Sequence, residues 1–130
     1  MGTSVRQFNR NLKKMAKSLP ATSLLAFHKK LAFDLFRKII LKTPVDTGRA
    51  RGNWQMNVGT PLKNEKDTAD RNGSGTVQNG FANLLSLSPF QTIFITNNVQ
   101  YIGSLENGRS RQAPKGMVKV SIAEVNQGLI

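Results

Sequence analysis

Between Thr22 and Lys42 the apolar residues Leu24, Phe27, Leu31, Leu35 and Ile39 recur at three- and four-residue steps, and Thr43-Pro44 stops the pattern. That spacing predicts a helix starting at Thr22 or Ser23 and ending near Lys42. Phe33, Phe36, Ile40 and Leu41 widen its apolar surface beyond a single stripe. A helix of this kind needs cover on more than one side, so it is the candidate central core helix and the other elements must be built around it. At 130 residues the chain suffices for one domain, 1–130, and is too short for two ordinary ones. An apolar fraction of 38% supports one modest core and leaves other segments to be loops, or to order only within an assembly.

Ahead of the core helix, Ser4-Val5-Arg6-Gln7 fits a capping box, with Ser4 and Gln7 exchanging hydrogen bonds across the first turn. Val5, Phe8, Leu12, Met15 and Leu19 then share one helix face, and Leu19-Pro20 ends the run. Arg6, Arg10, Lys13, Lys14 and Lys17 fall on the opposite side. Residues 1–20 therefore form a basic amphipathic helix that can stand as an extension of the domain. No signal-peptide core and no span of membrane length is present, so a soluble, intracellular protein is expected, without membrane partners. The chain lacks cysteine, which excludes disulfides and thiolate metal sites.

Beyond Pro44 the signals shorten. Trp54–Val58 alternates as a half-buried strand, and residues 59–75 form a polar, flexible loop without periodicity. Residues 76–87 read as a short helix weakened by Gly80 and closed by Ser88-Pro89. Gln91–Thr96 carries the strongest strand signal, broken by Asn97-Asn98. Tyr101–Glu106 suits one helical turn, and Met117–Ile122 alternates as a last strand. The order predicts an α+β fold: two N-terminal helices packed on a small mixed or antiparallel sheet, with one further short helix and the long loop. There is no internal repeat and no heptad series.

The charge is lopsided. Nineteen Lys and Arg face seven Asp and Glu, a formal net charge of +12, which favours an acidic or polyanionic partner. Ten of those cations lie between Arg6 and Lys42, where Asp34 is the one acid. The basic face lacks interleaved aromatics and any reader motif, so an acidic protein surface is favoured over direct nucleic-acid binding, which stands as the alternative.

Candidate chemistry is thin. Asp46-Thr47-Gly48 matches the tripeptide of aspartic proteases, but its flanks Pro44-Val45 and Arg49 do not fit that setting. The turn reading is stronger, with Asp46 bonding backbone N–H groups ahead of it and Gly48 giving dihedral freedom. His28 has no second imidazole or acid near it in sequence to complete a metal or nucleophile set. Asp67 and Asp70 sit in the polar loop and are expected to be solvated. Gly73-Ser74-Gly75 lacks the Gly-Lys-Ser/Thr of a phosphate loop. No catalytic, cofactor or metal set emerges, and a non-enzymatic role is expected.

Two blocks carry a family resemblance. Residues 43–54, Thr-Pro-Val-Asp-Thr-Gly-Arg-Ala-Arg-Gly-Asn-Trp, resemble the "PVDTGR…R…W" signature of the neck and tail-completion proteins of long-tailed bacteriophages. Residues 96–102, Leu105–Gly108 and Ser110–Val118 resemble that family's "NN.PY…LE.G.S.QAP.GMV" block. The blocks appear in order and the resemblance covers most of residues 24–123. Gln100 stands where proline is common, and Ile102-Gly103 replaces the usual small residue after Tyr101. The chain stops at Ile130, so a C-terminal helix that the resemblance implies is expected to be absent.

The resemblance implies a subunit of a homo-oligomeric ring, sixfold or of related symmetry, at the phage neck. Its partners would be connector or portal-side proteins and tail-terminator or tail-tube proteins, with non-specific contact to DNA in the lumen. Its place would be the virion, and the host cytoplasm during assembly. Motif positions Pro44, Asp46, Thr47, Gly48, Trp54, Asn97, Tyr101, Glu106, Gly108, Gln112, Pro114 and Gly116 would be structural. Arg49, Arg51, Arg109 and Arg111 would anchor interfaces, and Arg6, Arg10, Lys13, Lys14 and Lys17 would form a separate docking face.

Overall fold

The computed structural model describes residues 5–129, so Ser4 of the expected capping box lies outside the described residues. In chain order it runs α1 (Val5–Lys17), α2 (Ala21–Lys42), α3 (Arg49–Gly52), β1 (Trp54–Val58), α4 (Ser74–Leu84), β2 (Ile93–Asn97), α5 (Ile102–Glu106) and α6 (Val118–Gln127). The fold is α+β, as the element pattern predicts. β1 and β2 pair antiparallel in a two-stranded sheet, from Trp54 opposite Asn97 to Val58 opposite Ile93. Asn97, expected to break the second strand, is its last paired residue.

α2 is the central helix. Phe36, Ile39 and Ile40 are fully buried and pack with Trp54 and Met56 of β1, Leu84 of α4, and Ala113 and Met117 before α6. Each large apolar side chain withdrawn from water in this way contributes about 1.5–3 kcal/mol before entropy is subtracted. α4 lies close on α2 because residue 80 is glycine: a Cβ there would stand 2.2 Å from Cε2 of Phe36. Gly80 thus costs α4 some helix propensity and lets the two helices touch.

Two expectations are corrected. Met117–Ile122 is not a strand; Val118–Gln127 is helix α6, and the chain therefore does have a C-terminal helix. Over six residues alternation and helical spacing look alike, but buried Met117, Ser121, Ile122, Val125 and Asn126 follow the helical step. β-branched Val118, Val120 and Ile122 are overridden by tertiary packing and by the cap described below. The second correction concerns α1, which packs on α6 and not on the sheet. Phe8 is buried with Ile122 and Val125, and Leu12, Leu31, Leu35 and Leu129 pack around them. Among the described residues, no helix is long and apolar enough to cross a membrane.

Candidate functional site

The end of α2 sets the geometry of the first motif block. The Thr43 hydroxyl donates to the Ile39 carbonyl at 2.7 Å and accepts from Trp54 Nε1–H at 2.7 Å, all of it buried. The last carbonyls of a helix lack intrahelical partners. Here Arg51 meets them: Nη2 donates to Leu41 O at 3.0 Å and Thr43 O at 2.8 Å, and Nη1 donates to Arg71 O at 2.9 Å. A guanidinium at this end also complements the helix dipole.

Gly48 makes the turn, at φ +93°. Its carbonyl accepts from Gly52 N and from Asp70 N at 3.0 Å, and a Cβ would stand 2.7 Å from Arg71 N. Thr47, not Asp46, accepts the backbone N–H ahead of it, from Arg49 at 3.2 Å. The Asp46 carboxylate is exposed and makes no hydrogen bond or ion pair among the described residues, which corrects the expected cap. The shorter Thr side chain reaches the N–H that opens α3.

Of the expected flexible loop 59–75, Ser74 and Gly75 already belong to α4; residues 59–73 have no helix or strand but are held by side chains from both strands and from α3. Buried Asn53 donates to Lys66 O at 3.1 Å and accepts from Lys66 N at 2.6 Å. Thr96 and Asn98 donate to Leu62 O at 3.0 and 2.9 Å. Arg49 pairs with Glu65 at 3.0 Å and with Asp67 at 3.4 Å. Asp70 is not solvated as expected. It accepts from Gly73 N at 3.1 Å, Thr76 N at 2.8 Å and Thr76 Oγ1 at 2.6 Å, capping α4. Partial burial pushes the Asp70 carboxyl upward, but the Thr76 hydroxyl, the two N–H groups and the Arg51 charge outweigh it and hold the pKa below the ordinary aspartate value.

The second block closes onto the first. The Gln112 side chain accepts from Val45 N at 2.8 Å and donates to Val45 O at 3.1 Å. Asn97 donates to Ala50 O at 2.8 Å and accepts from Val99 N at 3.1 Å. Glu106 caps α6: Oε1 accepts from Met117 N and Val118 N, both at 2.9 Å, and Oε2 from Lys119 N at 3.1 Å. A carboxylate here satisfies three orphan donors and faces the positive end of the helix dipole. Gly116, at φ +87°, lets the chain approach so closely that a Cβ would stand 2.4 Å from Glu106 O; Gly108 stands likewise over the Pro114 carbonyl.

Between the blocks lies a groove of about 460 Å³, lined by Pro44, Asp46, Thr47, Tyr101, Leu105, Ser110 and Gln112 among others. Tyr101, which lines it ahead of α5, is exposed, and Arg109 and Arg111 are exposed in the loop after α5 without side-chain partners among the described residues. Arg49 and Arg51, expected at interfaces, are engaged within the chain. The roles of Asp70 and Asn53 were missed by sequence reading; an aspartate three residues before a helix-opening Gly73 is the signal that could have found the first.

Away from the groove, Arg6, Arg10, Lys13, Lys14 and Lys17 are all exposed along α1, as their spacing predicts, and none has an ion-pair partner among the described residues. Their i, i+3 and i, i+4 repulsions each oppose the helix by about 0.2–0.5 kcal/mol. Phe81 on α4 and Leu85 just past its end are exposed one turn apart, with Phe81 edge-to-face on Phe33 at 5.4 Å. Phe90 is 83% exposed at φ +68°, a conformation that side chains rarely adopt. His28 is half-buried on α2, where burial lowers its pKa. Among the described residues no group of three or more His, Asp or Glu is placed to hold a metal ion. No family model, curated protein or solved structure matches the chain.

Proposed function

We propose that the chain is a structural virion subunit acting in head-tail joining or tail completion. In this reading it forms an oligomeric ring at the neck of a long-tailed phage, between connector and tail tube. The observation that carries the reading is that the two motif blocks of the resemblance, 43–54 and 96–118, form one unit. Gln112 brackets Val45, Asn97 holds Ala50, and both blocks line a single groove.

Two further features support a subunit whose surface is completed by neighbours. Phe81, Leu85 and Phe90 leave a run of large apolar side chains in water around the end of α4. Arg109 and Arg111 are free to pair with carboxylates of an adjoining protein, whereas Arg49 and Arg51 serve the fold. The role is non-catalytic in this reading.

The test is the mass of the purified protein by light scattering, electron microscopy of the same sample, and capture by connector and tail-tube proteins of long-tailed phages. Closed rings, or a stable complex with either partner, are expected. A strict monomer that captures neither would overturn the reading.

A further inference from the structure

We propose that the outer face of α1 is a binding surface for the phosphate backbone of duplex DNA, without sequence preference. The inference is argued from this face alone; it assigns to α1 a DNA contact of the non-specific kind that the family resemblance implies, and it can hold or fail whether or not the chain forms a neck ring.

The face is built and held outward. α1 is fixed by Phe8 and Leu12 against Ile122 and Val125, so its opposite side has one orientation relative to the domain. Arg6, Arg10, Lys13, Lys14 and Lys17 occupy about 100° of arc and about 16 Å of helix length at the α-helical rise and turn. All five are exposed, and α1 contains no acid. Arg6, Arg10 and Lys13 line one open surface cleft together with Val5 and Asn9, which sets three cations side by side on this face.

The chain's own acids cannot serve as the partner. Of seven carboxylates, Glu65 and Asp67 pair with Arg49, Asp70 caps α4, Glu106 caps α6, and Glu124 pairs with Lys38 and Lys42. Asp34 and Asp46 remain, one half-buried and one alone on its turn, so a second copy offers no acidic surface to match five cations.

An acidic protein fits less well than a polyphosphate. Protein interfaces anchor on buried aromatic and aliphatic side chains and are depleted in lysine. The outer face of α1 has Arg, Lys, Gln and Asn, and the one exposed large apolar residue of the helix, Val5, belongs to the apolar side at its first turn. The sequence pattern alone favoured a protein partner; the face as folded has charge and nothing to anchor one. It equally lacks the aromatics that stack single-stranded bases, which leaves the duplex backbone.

The test is fluorescence anisotropy of the full chain with a labelled duplex of about 30 base pairs and unrelated sequence, across a salt series. Four to five phosphate contacts give a log-log salt slope of about −4. The variant Arg10→Gln/Lys14→Gln is expected to lower that slope by about two and to weaken binding at least about tenfold at moderate salt. The variant Lys63→Gln/Lys115→Gln removes equal charge from exposed sites elsewhere and is expected to keep the slope. Circular dichroism of each variant checks that the helices persist. No duplex binding, an equal loss in both variants, or tighter binding to polyglutamate than to the duplex would each overturn the proposal. If the α1 variant loses its helix, Arg6→Lys/Arg10→Lys, which keeps the charge, must bind with the parent slope or the proposal fails.

Discussion

The Gln112 side-chain amide brackets the backbone of Val45, accepting from its N–H and donating to its carbonyl across 67 residues of sequence. It is the direct tie between the loop before α6 and the turn after α2. Replacing it by Ala removes both bonds, and because the site is exposed the expected cost is about 1 kcal/mol. Gln112→Glu keeps the acceptor and loses the donor, so it should fall between the two. Urea unfolding midpoints check this order; an unchanged midpoint in Gln112→Ala would mean that the groove is held without the clamp.

Glu106 replaces three hydrogen bonds that α6 cannot make for itself. Glu106→Ala is expected to destabilise the protein by about 1–2 kcal/mol. The loss should begin locally, with faster amide exchange at Met117, Val118 and Lys119 than in α2. Uniform acceleration across the protein would contradict a local capping role.

Gly80→Ala reverses the usual sign of this substitution. In an open helix it would stabilise by about 1 kcal/mol. Here the new Cβ enters the space of the Phe36 ring, and overpacking of this kind costs about 1–3 kcal/mol. A lower thermal midpoint is expected, and Gly80→Ala combined with Phe36→Leu should recover part of the loss. A raised midpoint in the single variant would show that α4 can move away.

Asp70 links stability to acidity. Its carboxyl is held below the ordinary aspartate value in the fold, so the unfolded chain binds the proton more readily than the folded one. Its contribution is therefore fully present above the ordinary aspartate range and is lost as pH falls through and below it. Asp70→Asn should be less stable than the parent at neutral pH, with the gap closing as acid is added. A gap that stays constant with pH would remove the carboxylate as its origin.

The α2 pattern and the α1 stripe were legible in sequence because their periodicity runs past the ambiguity of a short window, and the two strands because Trp54–Val58 alternates and Gln91–Thr96 is rich in β-branched and aromatic residues. α6 was not, since Met117–Ile122 alternates as well as it spirals until Val125 and Leu129 are counted with it. The capping of α6 by Glu106 depends on a loop of ten residues folding back, which no local spacing announces. Arg51 and Arg49 were expected at interfaces, and their roles within the chain were hidden for the same reason. Their partners are carbonyls at the end of α2 and acids in a loop that carries no periodic signal. The turn at Gly48 was legible, but which neighbour caps α3 turned on side-chain length, Thr47 over Asp46.

α1 finds its apolar partners in α6, more than a hundred residues later in the chain, and the Asn11–Asn126 hydrogen bond spans 115 positions. During synthesis the first helix therefore emerges long before the surface that covers Phe8 exists. At ordinary elongation rates that interval is on the order of 5 to 20 seconds. For that time the nascent chain presents a cationic segment with an uncovered apolar side, and translation rate becomes a determinant of how much of it is captured by other surfaces before it closes.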